Sequence, residues 1–499
     1  MRVTACLLVL LTLSASLEST DFIFNRYYAD QNYGGNGRPG FVRSGDMDGD
    51  GDPDIVGGGG YALFVYENDG APARPDWTRF GNLDGTGGIG LNGASLYDVD
   101  GDRDLDVVGA MYTSDLGWWE NPGTLGNDNW NFHTIGSTTS YLHCMIRTDL
   151  DGDHIAEEFV ANLTSGSNLM ILWFRPGPDP TQPWESHIIE SGRNHGNNNH
   201  AGLDAGDVDG DSHLDIAYSN GWYEAPDDPA GVWTWRQVTG ISGISNVALS
   251  DLDGDGDLDL ITASGHSSTG VFWFECPANP GSESWTQHAI DASVANPEGL
   301  AVADLDYDGD SDVIACDLDF NSWDQEVHHV YVYENTGTVI SPTWNKQDIS
   351  GGSYASHKLQ ISDINDDGLI DIISEGCGYQ IISYYENATP GIVCNEPADE
   401  VGNLRLTHDM GGTIVLSWDS TIDPCSTGYR VFSATTASPS APPGSFPDDP
   451  PFVDITIEDL DADRANEVYL HDSAALLLFY LVVDDRFDGS LGLAGHYGG

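Results

Sequence analysis

Seven times between Asp46 and Asp371 the sequence sets out acids in the order Asp-x-Asp-x-Asp-x-x-x-Asp and then runs into apolar residues. Side chains spaced in this way around a tight loop can turn their oxygens onto one point, which is the chemistry of a hard-cation cage. In the clearest copy the ligands would be Asp46, Asp48, Asp50 and Asp54, with a backbone carbonyl offered at the seventh position. The second copy supplies Asp98, Asp100, Asp102 and Asp106, and the fourth Asp207, Asp209, Asp211 and Asp215. The fifth has Asp251, Asp253, Asp255 and Asp259, and the sixth Asp304, Asp306, Asp308 and Asp312. Two copies deviate. The third reads Asp149, Asp151, Asp153 and Glu157 without a glycine after Asp153, and the seventh reads Asp363, Asn365, Asp367 and Asp371.

Two carboxylates about 5 Å apart repel by about 3 kcal/mol at an effective dielectric near 20, so an empty loop of this kind should splay or take up protons. A bound cation removes that cost. The donors are all oxygen and mostly carboxylate, which selects calcium over a transition metal; magnesium would keep more of its own water. Calcium is therefore the expected cofactor.

The elements that carry these loops are strands. An EF-hand would need a glutamate at position twelve and helical flanks, but Gly57, Gly109 and Thr262 stand at that position and the flanks read Ile55-Val56, Val107-Val108 and Ile372-Ile373. Each loop is followed by an aromatic-Glu pair closing a later strand, as in Tyr66-Glu67-Asn68, Trp119-Glu120-Asn121, Tyr333-Glu334-Asn335 and Tyr385-Glu386-Asn387; Phe174-Arg175 is the deviant. A Pro/Gly turn then leads to a strand opening with Trp77, Trp130, Trp184, Trp233 or Trp235, Trp285 or Trp344. Four strands per period of about 44 to 59 residues describe a propeller blade, and the aromatic stripes are expected to pack between blades. Only six tryptophan strands follow seven loops. The orphan β run from Asp21 to Tyr28 is therefore expected to complete blade seven and close the ring.

These repeats, with their Asp-x-Asp-Gly-Asp cores and downstream aromatic-Glu-Asn, resemble the FG-GAP/VCBS repeat family, the calcium-loop propellers also found in integrin alpha subunits. The resemblance covers roughly residues 21 to 391. It implies a seven-bladed β-propeller and calcium. Such propellers serve adhesins, lectins, polysaccharide lyases and spacers alike, so fold does not choose the activity.

Loops of a four-stranded blade alternate between two ends of the ring, so the end remote from the acidic loops is a candidate ligand face. Asn92, His143, Glu298 and His357 stand before first strands there, with His195 and His200 in a neighbouring segment and Trp323 in the longest loop. Such imidazoles, carboxylates and aromatic planes can bind a sugar, or support β-elimination on an acidic polysaccharide. No Gly-x-Ser-x-Gly, His-Glu-x-x-His or phosphate loop occurs, and the only lysines, Lys346 and Lys358, make poor clamps for a polyanion. The expected function is thus a binding or adhesion module for glycan or protein, with a carbohydrate-active enzyme and a purely structural surface protein as alternatives.

A formal charge of −63, from 80 acidic against 17 basic residues, repels nucleic acid and anionic membranes. Residues 1–18 read as a signal peptide, with Arg2 ahead of an apolar core, and predict a secreted or cell-surface protein with no membrane insertion. The propeller is assigned residues 19–392. Residues 393–499 lose the period, and Ile414 to Trp418, Gly428 to Val431 and Phe479 to Val482 suggest a β-sandwich resembling a fibronectin type III domain, so the whole chain is expected to be all-β. Cys394 and Cys425 are plausible disulfide partners in an oxidising compartment; Cys144, Cys276, Cys316 and Cys377 fall in or beside blade strands as free thiols.

Overall fold

The computed structural model describes residues 22–390 apart from short segments, chiefly 31–39, 82–92, 194–201, 318–328 and 352–357, and six strands between residues 402 and 486. Seven four-stranded antiparallel sheets form the blades of a propeller. Blade one runs outward from Phe41–Gly45 through Asp54–Gly59 and Ala62–Glu67 to Thr78–Gly81. Blades two to six repeat this order, their inner strands being Ser95–Tyr97, Tyr141–Thr148, Leu203–Gly206, Asn246–Ser250 and Pro297–Ala303. Inner strands of successive blades touch all round the ring, including those of blades seven and one.

Each blade packs both faces against its neighbours, so its second strand has no wet side and reads as an apolar run rather than an alternation. Ile55, Val56, Val107, Val108, Ile216, Ile261, Val313, Ile314, Ile372 and Ile373 are all fully buried. The tryptophans opening the fourth strands do the expected packing and also tie down the turn before them. Trp77, Trp184, Trp233 and Trp285 donate their indole N–H to the carbonyls of Pro72, Pro180, Pro229 and Pro280 at 2.8 to 3.2 Å. In blade four that tryptophan is Trp233; Trp235 instead lies against Tyr223, with ring centroids 4.7 Å apart. Two of the same proline carbonyls are shared across blades, for Trp118 also donates to Pro180 and Trp173 to Pro229.

Blade seven contributes three strands of its own, Lys358–Ser362, Asp371–Gly376 and Ile381–Asn387, and its outer strand is Phe24–Asp30 from the start of the chain. Register runs antiparallel from Phe24 opposite Asn387 to Tyr28 opposite Ser383. Ala388 N–H donates to Ile23 O at 2.7 Å, and the Arg26 guanidinium donates to Ser350 O and Ser383 Oγ while lying over the Tyr28 and Tyr385 rings. The orphan strand thus closes the ring as expected, running from Phe24 to Asp30 rather than from Asp21 to Tyr28.

Beyond residue 400 the strands form two three-stranded antiparallel sheets. One orders Gly402–His408, Thr413–Asp419 and Val468–Asp472; the other orders Phe452–Asp454, Ser426–Ala434 and Phe479–Arg486. Among the described residues no helix is long and apolar enough to cross a membrane. Cys144, Cys276 and Cys316 are free thiols, whereas Cys377, Cys394 and Cys425 lie outside the described residues.

Candidate metal centres and the opposite face

Each acidic loop is wound by its first aspartate. In blade one the Asp46 carboxylate accepts from Gly49 N–H at 2.7 Å and Gly51 N–H at 3.0 Å, which curls the chain around the carboxylate. Both glycines sit at positive φ, 79° and 100°. Loops two, four, five, six and seven repeat the second bond, from Arg103, Ser212, Gly256, Gly309 and Gly368 to Asp98, Asp207, Asp251, Asp304 and Asp363. Arg103 and Ser212 hold left-handed φ of 81° and 73° there, a strained choice for residues with a β-carbon that the loop imposes on them.

The curl brings carboxylates together. Asp46, Asp48 and Asp50 each place an oxygen within 4.8 Å of the others, as do Asp98, Asp100 and Asp106, Asp207, Asp209 and Asp215, and Asp251, Asp253 and Asp255. The groups are hard oxygens only, and each carboxylate that takes one or two N–H bonds keeps lone pairs for a cation. Burial raises the pKa of Asp48, Asp100, Asp209 and Asp253, and the neighbouring loop carboxylates raise it further. Part of that repulsion comes from the strand-three glutamates Glu67, Glu120, Glu224 and Glu275, each of which acts on the third-position aspartate of its own loop. A divalent cation would relieve this repulsion, and the all-oxygen, carboxylate-rich donors of these loops would suit calcium.

The last acid of each loop has a second task. Asp54 is fully buried at the start of its strand and accepts Met47 N–H at 2.9 Å on one oxygen and Asn68 N–H at 2.8 Å on the other. Asp106, Asp215, Asp259, Asp312 and Asp371 do the same, joining the loop's second residue to the residue after the aromatic-Glu pair. Burial pushes Asp54 up to about 7, Asp106, Asp215, Asp259 and Asp371 to about 8 and Asp312 to about 9; the backbone donors oppose the shift and nearby carboxylates add to it.

In the third loop this place belongs to Glu158, not to Glu157. Glu158 is fully buried and accepts Leu150 N–H at 3.0 Å, the bond Asp54 makes to Met47 in blade one. Its carboxylate groups with Asp149 and Asp151; Asp153 lies outside the described residues. The loop is one residue longer than its sisters, and a longer side chain spans the difference. In the seventh loop the Asn365 amide N–H₂ faces Asp367 at 2.9 Å and Glu386 at 3.3 Å, so the amide itself relieves some of the crowding there.

The asparagine after the aromatic-Glu pair reaches across to the previous blade. Asn68, Asn121, Asn335 and Asn387 donate their side-chain amides to Ile364 O, Met47 O, Leu252 O and Leu305 O, in each case the second residue of the neighbouring acidic loop. In blade five Cys276 stands in that place, its thiol 4.0 Å from Val208 O. Pro176 and Ala225 occupy it in blades three and four and have no side-chain donor.

At the opposite end, His143 and Glu298 are buried within the inner strands of blades three and six rather than displayed on a surface. Asn92, His195, His200, Trp323 and His357 lie outside the described residues. A cavity of about 350 Å³ runs along blade five beside Gly240 and Ile241, from Ser264, Ser268 and Thr269 at this end past Thr262 and Phe272 to Phe274 and Gln287. None of its described lining side chains is ionisable. No periodic signal marks it, since hydroxyls at strand ends look like ordinary turn residues. A Trp-x-x-His spacing marks three further histidines. His133, His187 and His288 stack on Trp118, Trp173 and Trp273 with centroids 4.3 to 4.6 Å apart, and each meets a glutamate.

The FG-GAP-like repeat family matches residues 251–315. No curated protein matches the chain. Among solved structures, BBS1N in complex with ARL6DN is similar at 11% identity and TM-score 0.44, over 71% of this chain and 94% of that one. The Bacillus licheniformis rhamnogalacturonan lyase PL11 is similar at 13% identity and TM-score 0.41, over 70% and 72% of the two chains. The exotype rhamnogalacturonan lyase YesX gives 13% identity and TM-score 0.40 over 72% and 75%. With the repeat matched from the acidic loop of blade five into blade six, and the same loop, buried acid and aromatic-Glu pair recurring around the ring, the chain is a seven-bladed β-propeller that carries an FG-GAP-like repeat.

Proposed function

We propose that this propeller is a secreted or cell-surface binding or adhesion module for a glycan or protein ligand, with calcium neutralising its acidic loops and the residues beyond 393 forming a fibronectin-like sandwich. The observation that carries it is the division between the two ends of the ring. One end gathers carboxylates whose mutual repulsion a divalent cation would relieve; from the other a neutral cavity of hydroxyl, amide and aromatic groups runs along blade five. Neutral donors beside a ring face are what a sugar's hydroxyls and C–H faces require. The absence of ionisable groups from the described lining favours holding a ligand over cutting it.

A glycan array probed in calcium tests this, with each hit then incubated with the protein and its ends analysed. Retention without new ends is expected, and a Thr269→Ala, Gln287→Ala double variant should lose it by at least about tenfold, the loss of one to two hydrogen bonds. New unsaturated or reducing ends would replace the binding assignment with an enzymatic one. Retention unchanged in the double variant would move the site away from this cavity.

A further inference from the structure

Resting on the calcium assignment above, we infer that blade three takes no cation, because the guanidinium of Arg175 is built into the place an ion would neutralise. The six other blades carry glutamate at this strand-three position, namely Glu67, Glu120, Glu224, Glu275, Glu334 and Glu386. Where Glu67, Glu120, Glu224 and Glu275 add negative charge beside the third-position aspartate of their loop, Arg175 puts a positive charge beside Asp151. Its Nη1 bonds both Asp151 Oδ2 and, at 3.1 Å, Glu158 Oε1, and its Nε meets Glu185 at 3.2 Å.

Three neighbouring departures fit the same substitution. The residue after Arg175 is Pro176, which has no N–H, so the backbone bond that Asn68 gives to Asp54 cannot be made in blade three. The Glu158 oxygen that would have accepted it accepts Arg175 instead. The acid is glutamate at the tenth position rather than aspartate at the ninth, long enough to serve Leu150 N–H and the guanidinium together. The Arg175 guanidinium also lies over the Trp173 ring, its carbon 5.8 Å from the centroid. A divalent cation entering between Asp151 and Glu158 would meet a positive charge already bonded to both carboxylates.

Hydrogen exchange on the full-length protein, in calcium and in EDTA, reads this loop by loop. Peptides over residues 46–54, 207–215 and 251–259 should exchange at least about tenfold faster in EDTA, and those over 149–158 at the same rate in both. Calcium-dependent protection of 149–158 alongside the others would overturn the inference while leaving the calcium assignment intact. No dependence in any loop would sink the calcium assignment, and this inference with it. Bound calcium, counted after equilibrium dialysis, should fall by one in Asp48→Asn and stay constant in Asp151→Asn; a loss of one in the latter overturns the inference. Arg175→Met should lower the melting temperature by a similar amount with and without calcium, and an unchanged melting curve would show that the guanidinium does not serve as the counter-charge.

Discussion

Asp291, on the outer strand of blade five, shows how single residues join blades outside the acidic loops. It accepts Lys346 Nζ at 2.7 Å and Tyr333 Oη at 3.3 Å from blade six, and the N–H and hydroxyl of Ser293 from its own strand. Burial pushes its carboxyl up, but the bonds from Lys346 and Ser293 outweigh it and hold it at about 2. A carboxyl depressed on folding stabilises above its unfolded pKa of about 3.9, and that contribution is lost as pH falls toward 2. Asp291→Asn should therefore cost about 1 kcal/mol at pH 6, a figure discounted for the partly exposed Lys346, and the difference should shrink below pH 4 in urea unfolding followed by fluorescence. An equal cost at both pH values would assign the effect to packing. At this scale the sequence was legible where residue type alone decides, as in Asp46, Asp48 and Asp50. It was not legible where one inserted residue changes partner, as with Glu158 in place of Glu157, because spacing does not reveal which of two adjacent glutamates turns inward.

At the scale of the strand, the closure of blade seven by Phe24–Asp30 could be foreseen by counting tryptophan strands against acidic loops. What counting could not supply is how firmly the strand is held. Phe22 is buried, Ile23 bonds Thr389 and Ala388, and Arg26 lies between two tyrosine rings. Without it the edge of Ile381–Asn387 would lose its partner and Tyr385 its cover. Deleting residues 19–30 should abolish the cooperative melting transition of the propeller by circular dichroism, and a deletion variant that still melts in one sharp step would refute closure by this strand. The strand ends at the far face, by contrast, carry no period, and the Thr262 to Thr269 cavity runs along blade five beside Gly240 and Ile241.

For the whole molecule, the charge of −63 is the quantity that the proposed calcium would partly offset. A ligand bound only by the folded state stabilises it by about 2.7 kcal/mol per site at one hundred times its dissociation constant. Several sites in one cooperative ring should therefore make melting strongly dependent on calcium. Calorimetry in millimolar calcium and in EDTA should differ by more than about 10 °C, and identical curves would remove calcium from the fold. Seven blades and their all-β class were legible because a 44- to 59-residue period survives loop variation. The arrangement after residue 393 was less so, since its Pro-rich stretch from Ala437 to Pro451 interrupts the alternation that marks strands.

The side-chain amides that cross from blade to blade all point the same way, each blade gripping the one before it. From blade six through seven and one to two an amide fills every handhold, and in blade five the Cys276 thiol stands in its place, so the blade closed by Phe24–Asp30 is bolted like any other. Pro176 and Ala225 leave blades three and four without that grip. At those two junctions an indole makes the crossing instead, Trp118 reaching Pro180 and Trp173 reaching Pro229, so a side chain tethers each blade to its neighbour all the way round.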